Sequence, residues 1–173
     1  MLPRRLHSQM TVTLRNQRGQ QFKGEFGDPN GFPRPRREVQ NIPHRALTVN
    51  RNSLAKDGDV VTYQGVQFLL CGQHQLTHAR IFLALEIQQT VRWTRLGADV
   101  DPLTGMARED VEIVLNPTLP VILDPIRATE ELNFQRPIYR LLSGENVQEN
   151  DIINGMNVMM VSDLLGLRVA ELV

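Results

Sequence analysis

Cys71, His74 and His78 are residues of the types that hold zinc, spaced C-x2-H-x3-H in the run from Cys71 to His78. On a helix, positions i, i+3 and i+7 fall on one side, and thiolate plus imidazole is a donor set that zinc accepts. Such a site still needs a fourth ligand or a water, and outer groups that orient the rings. The run lies between two β-type segments, where helical spacing does not apply, and no second ligand pair follows at zinc-finger distance. The expectation is therefore a polar tip with two solvent-facing histidines, with no metal and no other cofactor.

Asp99 and Asp101, in Asp99-Val100-Asp101-Pro102-Leu103-Thr104-Gly105, offer a second chemistry. D-x-D-x-x-T resembles the nucleophile loop of haloacid-dehalogenase-type phosphatases, where one carboxylate attacks phosphorus and the other handles the proton. In that family the motif ends a buried parallel strand, whereas here Thr94-Arg95-Leu96-Gly97-Ala98 precedes it. As a calcium loop the run has its glycine one place late and lacks the closing bidentate glutamate. A surface Asp-Pro turn explains the same letters. Ser8, Ser53, Ser143 and Ser162 stand outside any G-x-S-x-G elbow, and no glycine-rich phosphate loop occurs. Neither Glu130-Glu131 nor Glu109-Asp110 sits in an apolar context that would tune a carboxylate for acid–base work. An enzyme is not expected.

The dense basic patch is Arg34, Arg36 and Arg37, with Arg45 and Arg51 nearby and Phe32 as its aromatic. Nucleic-acid sites pair such charge with stacking aromatics or a binding helix, and only the charge is present. The preferred reading is an arm that docks on a neighbouring subunit, and the second is an oligonucleotide-binding β-barrel using the same arginines. Trp93, between Arg92 and Arg95, suits a core or interface anchor. The partner-binding candidates are thus Phe32, Arg34, Arg36, Arg37, Arg45 and Trp93.

Composition sets the frame for these sites. Lys plus Arg and Asp plus Glu are 19 each in 173 residues, so no global field favours nucleic acid or an anionic membrane. Lys23 and Lys56 are the only lysines, and an arginine-dominated basic side suits interfaces as well as it reflects genome base composition. A single cysteine fits assembly in a reducing cytoplasm. MLPRRLHSQM has charge without an apolar core behind it, and no apolar run approaches spanning length, so neither a signal peptide nor a membrane partner is expected.

The elements that must position the candidates read as β-structure. Val60, Val61 and Tyr63 lead into Gln64-Gly65, and Val66, Phe68 and Leu70 lead out. Ile81, Leu83, Leu85 and Ile87 alternate, and Val91 to Arg95 continue them as one long strand or as a second broken near Gln88-Gln89. Thr11 to Leu14 and Phe22 to Phe26 flank Arg18-Gly19 as a hairpin, and Ala46 to Asn50 is a further strand. Gly27 to His44 holds four prolines among repeated arginines and reads as an extended arm. Leu96 to Asp110 reads as a polar connection; Val111 to Leu115, Leu119 to Leu123 and Ile138 to Leu142 read as short strands, and Thr129 to Gln135 as a helical turn. The fold class is mainly β, a small barrel or sandwich with long loops. Residues 1–97 form a barrel-like module with its arm at 27–45, and 98–173 a smaller β-rich module.

Glu149 to Val161 echoes Asp57 to Leu70: an aspartate, paired β-branched residues, a glycine turn and an apolar run. Either a duplicated β-module or convergent hairpin chemistry gives that echo. The order of pieces, from the N-terminal hairpin through the proline-rich arm and Gly58-Asp59-Val60-Val61 to the strand ending in Val91-Arg92-Trp93-Thr94-Arg95, resembles the small β-barrel proteins of the tailed-bacteriophage neck. These are the head-closure, stopper and related head-to-tail connector proteins, and the likeness covers the first 95 or so residues. It implies a structural virion protein, assembled in the host cytoplasm, that forms a homo-oligomeric ring between portal or adaptor and tail proteins. The resemblance also implies loops that contact channel DNA without sequence preference. It makes Gly27 to His44 the inter-subunit arm and assigns no role to 110–173.

Overall fold

A computed structural model describes residues 11–27, 42–101, 103–126 and 138–173. The described residues form strands and turns without a helix, and the chain divides into two compact units, Met1–Ile87 and Gln88–Val173. That boundary falls ahead of residue 97, because the alternating run breaks at Ile87-Gln88 into two strands that serve different sheets. The expected helical turn at 129–135 lies outside the described residues.

The first unit contains β1 (Val12–Arg15), β2 (Gln21–Gly27), β3 (His44–Asn50), β4 (Val60–Tyr63), β5 (Val66–Gln75) and β6 (Ala79–Glu86). They form one antiparallel sheet in the order β1-β2-β3-β6-β5-β4. β3 lies beside β6 rather than β4, which is a Greek-key connection. One isolated bridge, Asn16 to Val61, brings the two edges together. Inward-facing Leu14, Phe22, Leu47, Val61, Leu70 and Phe82 make the core, and Phe26 stacks on Tyr63 with ring centroids 4.4 Å apart. Full burial of each such side chain contributes roughly 1.5–3 kcal/mol.

The second unit contains β7 (Gln89–Val100), β8 (Ala107–Ile126), β9 (Ile138–Ser143), β10 (Ile152–Ile153), β11 (Met156–Leu164) and β12 (Leu167–Leu172). Its order is β7-β8-β9-β12-β11-β10, and β10 pairs back onto β7 through Ile152–Thr94 and Ile153–Trp93 to close the barrel. Val91, Trp93, Leu119, Leu141, Ile153 and Leu172 lie in its core.

Strand for strand, the two orders are the same. The registers also match. Leu14 faces Phe22 as Val91 faces Leu119, Phe26 faces Leu47 as Leu123 faces Leu141, and Leu70 faces Ala84 as Val158 faces Leu172. The echo between Asp59 and Asp151 is thus one corner of two modules built on a single plan.

Two expected loops are strands. Leu96 to Asp110, read as a polar connection, is mostly the far half of β7 and the start of β8. The two short runs around Asn116-Pro117 are one strand, in which register shifts near Trp93 absorb the break. Proline and glycine are tolerated there because these stretches are an outer edge with bulges.

Three two-residue turns, Gln64-Gly65, Asn154-Gly155 and Leu165-Gly166, have positive φ at both positions, the type I′ geometry whose twist matches a hairpin. Leucine at φ 54° is the misfit, since a Cβ in the left-handed region crowds the following carbonyl. Leu165→Asn is expected to stabilise the chain by about 1 kcal/mol or less, read as a rise in the denaturant midpoint of the second module. An unchanged or lower midpoint would mean that the packing of the half-buried leucine outweighs its backbone strain.

Candidate functional site

In both modules a buried aspartate ties the connection ahead of the fourth strand to the first strand or the residues just after it, and in the second the sheet closes as a barrel. Asp59 follows the β3–β4 connection, and its Oδ2 accepts from the Lys56 amide and from Asn16 Nδ2, each at 3.0 Å, while Oδ1 pairs with Arg18. Asp151 occupies the same place. Its Oδ2 accepts from the Gln148 amide and from Trp93 Nε1, each at 2.8 Å, and Arg95 approaches through Nε at 2.6 Å and Nη2 at 3.0 Å. The supporting frame is common too. The amides of Leu70 and Val158 donate to the carbonyls of Asp59 and Asp151, and the amides of Gly58 and Asn150 donate to the carbonyls of Leu70 and Val158. Asn16 and Arg18 of the first module therefore correspond to Trp93 and Arg95 of the second.

These carboxylates are saturated with donors and serve as fasteners. Burial alone would push Asp151 up, but the Arg95 guanidinium, the Gln148 amide and the Trp93 indole together outweigh it and hold the carboxyl below its usual range. Only the second module has a bidentate arginine, the stronger form of the pair.

The modules differ most between β1 and β2 on one side and β7 and β8 on the other. In the first, Asn16 turns to Gln20 within a few residues, the Gly19 amide donating to the Asn16 carbonyl at 2.9 Å. In the second, the chain beyond Arg95 runs out as a two-stranded ribbon and returns at Asn116. Among the described residues, β7 from Arg95 to Val100 and β8 from Ala107 to Leu119 pair with no strand outside the β7–β8 pair, which leaves both outer edges unpaired. The ribbon tip is a turn in which Asp101 Oδ1 accepts from the Leu103 amide at 2.9 Å and the Gly105 amide donates to the Asp101 carbonyl at 2.8 Å. A Cβ on Gly97 would fall 2.5 Å from Cδ1 of Ile113, so the glycine lets that side chain lie across the ribbon.

The ribbon exposes several apolar side chains to water. Leu96, Ile113, Val114 and Leu115 are each more than two-fifths exposed, and Leu103 at the tip is 94% exposed. An isolated two-stranded hairpin is at best marginally stable in water, and such a patch marks a surface made for contact.

The other predicted positions are distributed as follows. Phe32, Arg34, Arg36 and Arg37 lie outside the described residues. Arg45 is exposed on β3, opposite Ala84. Trp93 is a core residue of the second module and spends its indole N–H on Asp151. Cys71 is fully buried, its thiol pushed up to about 12 by burial and then by the charge of Asp57. His74 and His78 are exposed, and His74 belongs to β5, which runs past the expected tip through a bulge after Cys71. Among the described residues no three His, Cys, Asp or Glu side chains are grouped to hold a metal ion. A cleft of about 390 Å³ along the seam of the first module is lined by Thr13, Arg15, Asn16, Gln17, Val60, Thr62 and Gln67, without a carboxylate, imidazole or thiol. No protein-family model matches the chain, and no curated protein or solved structure matches it either.

The fasteners generate a pH and mutation series. Because the folded carboxyl of Asp151 lies below its unfolded value, its contribution is complete above about pH 4 and is lost as pH falls through the folded value. Asp151→Ala is expected to cost roughly 2–4 kcal/mol, because it strands the indole and amide donors. Arg95→Ala is expected to cost about 1 kcal/mol, its side chain being 36% exposed. Urea melts of the two variants at pH 7 and pH 3 check this, and equal losses at both pH values for Asp151→Ala would contradict it.

Proposed function

We propose that this protein is a structural component of a tailed-phage virion, in the neck or upper tail. In this reading it forms a ring that joins head or portal to tail around the DNA channel, and it acts by assembly. The observation that carries the reading is the ribbon of the second module with its exposed apolar side chains, added to a barrel whose counterpart sheet lacks it. A ring protein needs surfaces of this kind, extended and adhesive, with strand edges that pair across subunits. The arginine-proline segment between β2 and β3 supplies a second arm by its sequence. A balanced charge also suits a conduit, since each neutralised phosphate would add salt-sensitive grip on the DNA passing through.

The test is the mass of the native particle, for the chain alone and mixed with portal and tail components, alongside DNA titrations at two salt concentrations. A ring-sized oligomer, formed alone or on a portal-like partner, is the expected result, with little salt-dependent DNA affinity. A chain that stays monomeric and binds no virion component contradicts the proposal. Strong salt-dependent binding by such a monomer would point to the oligonucleotide-binding barrel instead.

A further inference from the structure

We infer that copies of this chain meet head to tail, the basic first module of one against the acidic second module of the next. This rests on the ring reading above and names the surfaces that join its subunits.

The net charge of zero is the sum of two opposite halves. Met1–Ile87 holds 12 Lys and Arg against six Asp and Glu, a net +6, whereas Gln88–Val173 holds seven against 13, a net −6. Among the described residues each module keeps the sign of its excess. Ion pairing inside a module does not remove that excess, because each pair takes one charge of either sign. Arg18 pairs with Asp59 in the first module, and in the second Arg92, Arg95, Arg140 and Arg168 pair with Glu112, Asp151, Asp124 and Asp163. What is left over is cationic in one module and anionic in the other.

Corresponding connections show the contrast most clearly. Ahead of Asp59, the β3–β4 connection carries Arg51 and Lys56; ahead of Asp151, the β9–β10 connection carries Glu145 and Glu149, and all four are exposed. None of the four has an ion-pair partner among the described residues. Asp57, beside Lys56, is partly buried and accepts from the Gln73 amide at 3.1 Å. Arg168 reaches the β9–β10 connection but is engaged by Asp163 at 3.1 Å and by Asn146 Oδ1 at 2.6 Å. Exposed Arg15, Lys23 and Arg45 add to the basic surface of the first module.

A second copy is the partner that these charges fit. Unlike surfaces on one chain complement each other between identical copies, and like surfaces repel. A contact between unlike surfaces is also the heterologous kind, which builds a ring when its rotation closes. A nucleic acid would meet the first module alone, where the described aromatics belong to the core: Phe22, Phe68 and Phe82 are buried, and Phe26 stacks on Tyr63 against them. No platform is left there on which bases could stack.

The native mass of the full chain, alone and with portal and tail components, at low and at high salt, tests this with two charge reversals. One variant is Arg51→Glu with Lys56→Glu, and the other is Glu145→Lys with Glu149→Lys. Wild-type assembly is expected to weaken as salt rises. Each variant by itself is expected to assemble roughly tenfold or more weakly, with circular dichroism unchanged. An equal mixture of the two is expected to regain wild-type assembly, since the reversed surfaces then face each other. Assembly that neither salt nor either reversal weakens overturns this interface and leaves the ring reading standing. A loss in each variant that mixing does not restore overturns the head-to-tail order. DNA capture that the first-module reversal abolishes, with self-assembly unchanged by both reversals, overturns it in favour of a nucleic-acid surface. A chain that is monomeric at every concentration, alone and with those components, overturns both readings. Where a variant fails to fold, the salt dependence of wild-type assembly decides: weakening supports the interface and indifference to salt overturns it.

Discussion

The fastening of each sheet's fourth strand to its first by a buried aspartate is the constraint on which the rest of the structure depends. A six-stranded sheet that curls back on itself must join its first strand to its fourth, and here very little backbone pairing does so: one bridge in the first module, two residue pairs in the second. The carboxylates of Asp59 and Asp151 supply the remainder. Each gathers a turn amide, a side-chain N–H and a guanidinium, drawing the β3–β4 or β9–β10 connection onto the opposite strand. Such a group is costly to bury alone and becomes favourable only when every lone pair is met, which explains why its partners are so similar in the two modules.

Given that fastener, the remaining differences sort themselves. What both modules share holds the barrel, and what one module adds is free to do something else. The second module adds the ribbon, with apolar side chains facing water, together with the bidentate Arg95 at its root. The stronger pair stands where the ribbon leaves the barrel.

Much of the fold was legible in local pattern. Alternation marked β6, and Gln64-Gly65 and Asn154-Gly155 marked their turns, because period two and left-handed glycine are consequences of backbone geometry. The Leu165-Gly166 turn escaped because leucine rarely adopts positive φ. β8 escaped as a single strand because Asn116-Pro117 and Asp124-Pro125 announce breaks that the strand runs through. The fastener was invisible locally, since Asn16 and Arg18 lie about forty residues from Asp59 and no period links them. Only laying one module over the other aligns Leu14, Asn16 and Arg18 with Val91, Trp93 and Arg95. The polar reading of Leu96 to Asp110 concealed the ribbon because Gly97, Pro102 and Gly105 signal a loop, whereas Gly97 makes room for Ile113 across the ribbon and Gly105 supplies the positive φ of its tip.

The most direct measurement replaces residues 96–118 of the full chain with Gly-Gln-Gln, the residues that stand between Arg18 and Phe22 in the first module. The account predicts that the second module still unfolds cooperatively, with its stability intact to within about 1 kcal/mol, and that assembly is lost. A second module that no longer folds, or an assembly that forms as before, would contradict the separation of barrel from ribbon.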